Sequence, residues 1–109
     1  MYKIIKSFTI SAAHHLDLTY DSPCAKTHGH NYVITVYCQS EKLDSNGMVV
    51  DFDEIKSLVG DVLDHKNLND VLDFNPTAEN VAKWIVDQVK TAYRCDVQES
   101  DGSIAIYEL

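Results

Sequence analysis

Apolar and polar residues alternate with a period of two over residues 2–14. Tyr2, Ile4, Phe8 and Ile10 share one face, with Lys6 the exception. Lys3, Ser7, Thr9 and Ser11 share the other, with Ile5 the exception. This period marks a half-buried strand, because successive side chains point to opposite sides of a pleated backbone. Carried to its end, it puts His14 on the apolar face. Residues 28–40 repeat the pattern, with His28, His30, Tyr32, Ile34, Val36 and Cys38 on one side. Asn31, Val33, Thr35, Tyr37 and Gln39 lie on the other. Asp44-Ser45-Asn46-Gly47 is a turn signal that closes this part.

The period then changes to 3.6. Asp51 with Glu54 three residues on resembles a capping box, and Ile55, Leu58, Val59, Val62 and Leu63 form a helical stripe. A second helix follows Asn75-Pro76-Thr77. Thr77 or Asn75 can cap it, with Pro76 in the first turn or just before it. Its predicted buried side is Ala78, Val81, Ala82, Ile85, Val89 and Ala92. Residues 95–100 and 103–109 read as strands around the hairpin dipeptide Asp101-Gly102. Cys95, Val97 and Glu99 share a face of the first, and Ile104 and Ile106 share a face of the second.

The order β-β-α-α-β-β predicts an α+β fold, a four-stranded antiparallel sheet with two helices on one face. A chain of 109 residues fits a single domain, 1–109. Val33, Tyr37, Val97 and Tyr107 suggest apolar sheet surface and open strand edges, so self-association is expected.

Composition narrows the function classes. The formal charge is −8 and only nine residues are Lys or Arg, which disfavours a nucleic-acid partner. A small anionic substrate stays possible where a metal or local cations override the global field. No apolar run reaches the length of a membrane span, and the opening MYKIIKSFTI lacks a leader pattern, so a cytoplasmic location is expected. Cys24, Cys38 and Cys95 are odd in number and widely spaced, which favours reduced thiols.

The segment PCAKTHGHNY concentrates the candidate chemistry. His28 and His30, two apart on a strand, present both rings on one face with Cα atoms about 7 Å apart. Two such rings can converge on one ion, and His14 on the neighbouring strand can supply a third nitrogen. Gly29 leaves room for a close approach. Three neutral imidazoles leave a position open, the catalytic pattern for zinc; Cys24 could instead close the shell as an inert fourth ligand. His15 points away from His14 on an extended chain. Cys24 in its loop is either a base or nucleophile or a small buried residue. Asp64 beside His65 either orients a catalytic ring or merely sits near a helix C-terminus. Glu99 could bind an N–H pair of a ligand bidentately, or lie exposed at a strand end.

Taken together, FTISAAHHL, CAKTHGHNY, GMVVDF, LDHKNLN, NPTAENVAKWI and VQES resemble the 6-pyruvoyl-tetrahydropterin synthase / 6-carboxy-tetrahydropterin synthase family. The motifs run in the family's order from Phe8 to about Glu99. Three residues separate Cys24 from His28-Gly29-His30, as in the bacterial 6-carboxy-tetrahydropterin synthases of queuosine biosynthesis. The resemblance implies the tunnelling fold, or T-fold, with a barrel formed by trimers or stacked hexamers and active sites between subunits. It implies Zn2+ on His14, His28 and His30, with Cys24, Asp64 and His65 catalytic. Glu99 would anchor the pterin ring, and Thr77 would lie in a segment lining the pterin pocket. The implied substrate is 7,8-dihydroneopterin triphosphate. Ser100 departs from the threonine common in the family after this glutamate.

Overall fold

A computed structural model describes residues 1–109. The two long alternating stretches form β1 (Tyr2–His14) and β2 (His28–Ser40), an antiparallel pair in unbroken register from Tyr2↔Ser40 to His14↔His28. The turn after β2 closes as expected: Gly47 takes φ 81°, and its N–H donates to Asp44 O at 3.0 Å. Glycine supplies that left-handed conformation without a Cβ clash.

The first helix is a rod in three parts: α1 (Phe52–Ile55), a π-helical turn (Lys56–Gly60) and α2 (Asp61–Leu63). Asp51 caps it, but its carboxylate accepts from Asp53 N at 2.8 Å rather than in a reciprocal box with Glu54. The wider π turn brings residues four apart into line. Ile55, Val59 and Leu63 are therefore fully buried, whereas Leu58 and Val62, expected in the same stripe, are swung to a flank about 40% exposed. Gly60 sits where a Cβ would meet the Phe8 ring at 3.3 Å, which seats the rod closely on β1.

A two-residue strand β3 (Lys66–Asn67) follows, parallel to the end of β1 at Ala12 and Ala13, and then a single turn α3 (Leu68–Val71). Neither was expected; both are too short to leave a periodic signal. Helix α4 (Ala78–Gln88) begins at Thr77, whose hydroxyl accepts from Asn80 N at 3.2 Å, with Pro76 just before it. It buries Val81, Ala82, Ile85 and Val86. Strands β4 (Ala92–Ser100) and β5 (Ser103–Glu108) make the closing hairpin, β4 starting three residues earlier than its pattern suggested.

The sheet order is β3-β1-β2-β4-β5, so the expected four-stranded antiparallel sheet carries one short parallel strand at its edge. The helices cover one face. Nineteen buried residues form the core between them, among them Ile10, Tyr32, Ile34, Val36, Cys95 and Val97. Val97 and Tyr107 belong to this covered side, contrary to the expectation that they leave apolar surface open. On the uncovered face β5 instead presents Ile104 and Ile106, each 55% exposed, and β1 presents Ile5. The sheet does not close on itself, and one edge of β5 is unpaired. No helix is long and apolar enough to cross a membrane.

Candidate metal centre and active site

The β1–β2 register carries three imidazoles to one spot. His14 pairs directly with His28, and His30 lies one pleat back, opposite Ala12. All three side chains stand on the helix-covered face, because 14, 28 and 30 share the parity of the buried positions. Ring centroids are 4.6 Å apart for His14–His28, 4.8 Å for His28–His30 and 5.1 Å for His14–His30. One ligating atom from each, with a carboxylate oxygen of Glu99, falls in a group spanning no more than 4.8 Å. Cys24 stands outside that group, so the fourth member is Glu99 and not a sulfur.

Backbone carbonyls orient two of the rings. His14 Nδ1 lies 2.9 Å from Pro76 O, and His28 Nδ1 lies 2.6 Å from Lys26 O. A carbonyl only accepts, so each Nδ1 carries the proton and each Nε2 offers a lone pair. Those two Nε2 atoms face each other at 3.1 Å. Two lone pairs at that distance repel unless a cation or a proton lies between them. His30 Nε2 is buried with no hydrogen-bond partner; Glu99 Oε1 approaches to 3.0 Å, outside hydrogen-bond alignment. The three imidazoles therefore fit a divalent cation, with Nδ1 of His14 and of His28 held as metal-bound histidines require. Burial is the main cause that lowers the His14 pKa below its ordinary value, keeping the ring in the neutral form that ligates. Tyr32 closes the back of the cluster, its hydroxyl 3.2 Å from His14 Nδ1, and burial raises the pKa of that phenol.

A bulge aims Glu99. Gln98 pairs with Ile104 and Ser100 with Ser103, so Glu99 is the extra residue on β4. Bulges of this kind re-aim a side chain, and here the carboxylate reaches His30. Glu99 also lines a cleft of about 400 Å³ with Ala78, Glu79, Ser103, Ile104 and Ala105. Thr77 is adjacent to that lining in sequence, but its hydroxyl is engaged in capping α4.

Cys24 sits in a single 3-10 turn, Pro23–Ala25, and is half-buried. Asp64 and His65 end the first helix and turn back toward β1. Asp64 Oδ1 accepts from Ser11 N at 2.8 Å, and His65 N donates to Ser11 O at 2.7 Å. This double tie holds His65 at φ 59°, a left-handed conformation that costs a non-glycine residue about 1–2 kcal/mol. The His65 ring is 82% exposed, with Nε2 3.5 Å from Asp64 Oδ2. His65 lines a cleft of about 520 Å³ with Ser11, Gly29, His30 and Asn31. Gly29 is not forced by crowding within the chain, since a Cβ there would meet only Ala12 O at 3.7 Å. His15 is turned away from the cluster toward Asp17, 3.6 Å away.

A model of the 6-pyruvoyl tetrahydropterin synthase family matches residues 3–109. The chain belongs to that family. It is 38% identical to the 6-carboxy-5,6,7,8-tetrahydropterin synthase of Synechocystis, over 98% of this chain and 93% of the relative. It is 32% identical to the protein of that name from Bacillus subtilis, over 97% of this chain and 84% of the relative. The solved 6-pyruvoyl tetrahydropterin synthase of Caenorhabditis elegans superposes with a TM-score of 0.78 at 29% identity, covering 99% and 95% of the two chains. The open sheet with its helices on one face is thus the T-fold unit of the 6-pyruvoyl tetrahydropterin synthase family. In this member the motif histidines and Glu99 meet. The Pro76, Lys26 and Ser11 anchors escaped sequence reading, because a backbone group leaves no trace in residue identity.

Proposed function

We propose that the protein is a zinc-dependent 6-carboxy-5,6,7,8-tetrahydropterin synthase of queuosine biosynthesis. It converts 7,8-dihydroneopterin triphosphate to 6-carboxytetrahydropterin with release of acetaldehyde and triphosphate. The observation that carries this reading is the convergence of His14, His28 and His30 with facing Nε2 atoms, in a chain whose relatives bear that name. His14, His28 and His30 would hold Zn2+, which when bound supplies a Lewis acid that stabilises negative charge developing on the substrate's side-chain oxygens. Cys24, as thiolate, takes a proton from a side-chain carbon of the substrate. His65, oriented by Asp64, serves as the partner acid or base. Glu99 accepts the paired N–H groups of the pyrimidine edge and so fixes the ring; the Thr77 segment borders the same cleft. The exposed His65 and the unclosed sheet support assembly into a trimer or hexamer in which one subunit's His65 serves a neighbour's site. The enzyme works in the cytoplasm as a carbon–carbon lyase.

The test is product identification with purified protein of measured metal content. Acetaldehyde and 6-carboxytetrahydropterin are expected, lost in Cys24→Ala and His65→Ala with metal retained. Elimination of triphosphate without acetaldehyde would instead make it a 6-pyruvoyl-tetrahydropterin synthase. A native protein that binds pterin but turns nothing over would be a zinc-stabilised binding module.

A further inference from the structure

The hydrogen bonding of β1 continues past His14, and two asparagine side chains carry it. Asn69 Oδ1 accepts from His15 N at 2.8 Å, and its Nδ2 donates to His15 O at 3.1 Å. Asn75 treats Asp17 the same way, accepting from its N–H at 2.9 Å and donating to its carbonyl at 3.1 Å. A primary amide offers one acceptor and one donor side by side, so each asparagine stands in for a backbone rung. The rungs keep the strand period of two: Ala13 pairs with Asn67 in β3, then His15 with Asn69, then Asp17 with Asn75.

The opposite edge of this extension is tied to the backbone of Cys24. Leu16 N donates to Cys24 O at 2.9 Å, and two residues beyond Cys24 the Lys26 carbonyl holds the His28 ring. Both asparagines are themselves anchored. Asn69 N donates to Asn67 Oδ1 at 3.1 Å, and Asn75 O accepts from Thr77 N and from Asn80 Nδ2. Asn75 also precedes Pro76, whose carbonyl orients His14.

We infer that Asn69 and Asn75 are positioning residues that set the Cys24 thiol against the histidine cluster, by holding residues 15–17 as a rigid strand extension to which the Cys24 backbone is tied. The loop joining β1 and β2 contains one short turn and has no other regular structure. Without the clamp, the Leu16–Cys24 bond would have to hold it against the entropy of an open loop. The inference rests on reading Cys24 as the reactive thiol and the cluster as a zinc site. Its decisive readouts are therefore independent of turnover.

The experiment uses the full chain, zinc-loaded or chelator-stripped, with two readouts: hydrogen exchange at the Leu16 amide and the rate of Cys24 alkylation by iodoacetamide. Cys38 and Cys95 stay silent, being fully buried with thiol pKa values raised mainly by that burial. In the wild type, zinc is expected to change the Cys24 rate about threefold or more, because a nearby dication alters thiolate character. Asn69→Ala and Asn75→Ala should each speed Leu16 exchange about tenfold. They should also bring the zinc dependence of alkylation close to unity while leaving zinc stoichiometry intact. Asn69→Asp, nearly isosteric, keeps the acceptor for His15 N but loses the donor to His15 O, and should fall between. With the pterin substrate, kcat should drop about tenfold or more at a nearly constant KM. Unchanged Leu16 protection, a zinc-dependent alkylation rate that survives in the variants, or no zinc dependence in the wild type overturns the inference. Asparagines with only a structural role would lower Tm and leave that dependence in place. A wild type with a zinc-coupled thiol but no product sinks the proposed reaction and leaves the clamp standing.

Discussion

The His14 ring does two things at once, and two substitutions separate them. Nδ1 donates to Pro76 O, while Nε2 faces the cluster. His14→Ala removes both. The ring is fully buried, so its loss opens a cavity walled by His28, His30 and Tyr32. An imidazole forfeits less transfer free energy than an aliphatic side chain of its size, which holds the cavity contribution near the low end for large-to-small changes, about 2 kcal/mol. The Pro76 carbonyl loses its donor as well, adding about 1–3 kcal/mol. The expected cost in metal-free protein is then about 3–5 kcal/mol, a large part of the 5–15 kcal/mol typical of a domain. His14→Asn keeps a donor close to the Nδ1 position and removes the Nε2 ligand. It should cost about 2 kcal/mol, yet lose metal as fully as the alanine variant. Denaturant unfolding in chelator measures the first effect, and elemental analysis of untreated protein the second. Equal stability of the two variants would refute the Nδ1–Pro76 assignment. A full equivalent of metal on His14→Asn would remove His14 from the donor set.

His65→Gly should be about 1 kcal/mol more stable than His65→Ala, because glycine adopts φ 59° without the Cβ clash; thermal unfolding of the pair measures it, and equal stability would mean the backbone relaxes. Burial pushes the Cys95 thiol from 9.0 up to about 12 and raises Cys38 too. The folded protein therefore keeps protons that the unfolded chain releases, so the Cys95 contribution is full below pH 9 and falls by about 1.4 kcal/mol per unit as pH climbs toward 12, with Cys38 adding a loss of the same sign. The Cys38→Ala/Cys95→Ala protein should show a flatter decline between pH 9 and 10, before the raised Tyr32 adds its own loss of the same sign above pH 10. The proposed triphosphate substrate would approach a chain of charge −8 and be drawn in by the proposed metal and by exposed Lys26 at the loop, so on that proposal kcat/KM should fall with ionic strength. A salt-independent value would remove electrostatic steering from the account.

Much of the architecture is written in local periodicity. The alternation over residues 2–14 and 28–40 specifies two strands and puts His14, His28 and His30 on buried-parity faces, since a pleated backbone sorts neighbours by parity whatever the rest of the chain does. The Asp101-Gly102 turn and the Thr77 cap are equally local, each a matter of one or two residues' conformational preference. Motif order adds the family.

Tertiary structure decided what depends on partners far apart in the chain. Parity allows His14 to meet His28, but only the register of thirteen paired residues makes them meet. Glu99 reads equally well as an exposed strand end or a ligand anchor until the β4 bulge turns it to His30. The capped stripe of the first helix lost Leu58 and Val62 to a π turn, at whose end Gly60 packs against the Phe8 ring. The carbonyl of Pro76 that orients the His14 ring, and the amides of Asn69 and Asn75 that extend β1, act across as many as 62 residues of separation. Side-chain identity encodes which groups are available; only the packed chain brings a particular donor to a particular acceptor, and the chemistry of this site consists of such pairings.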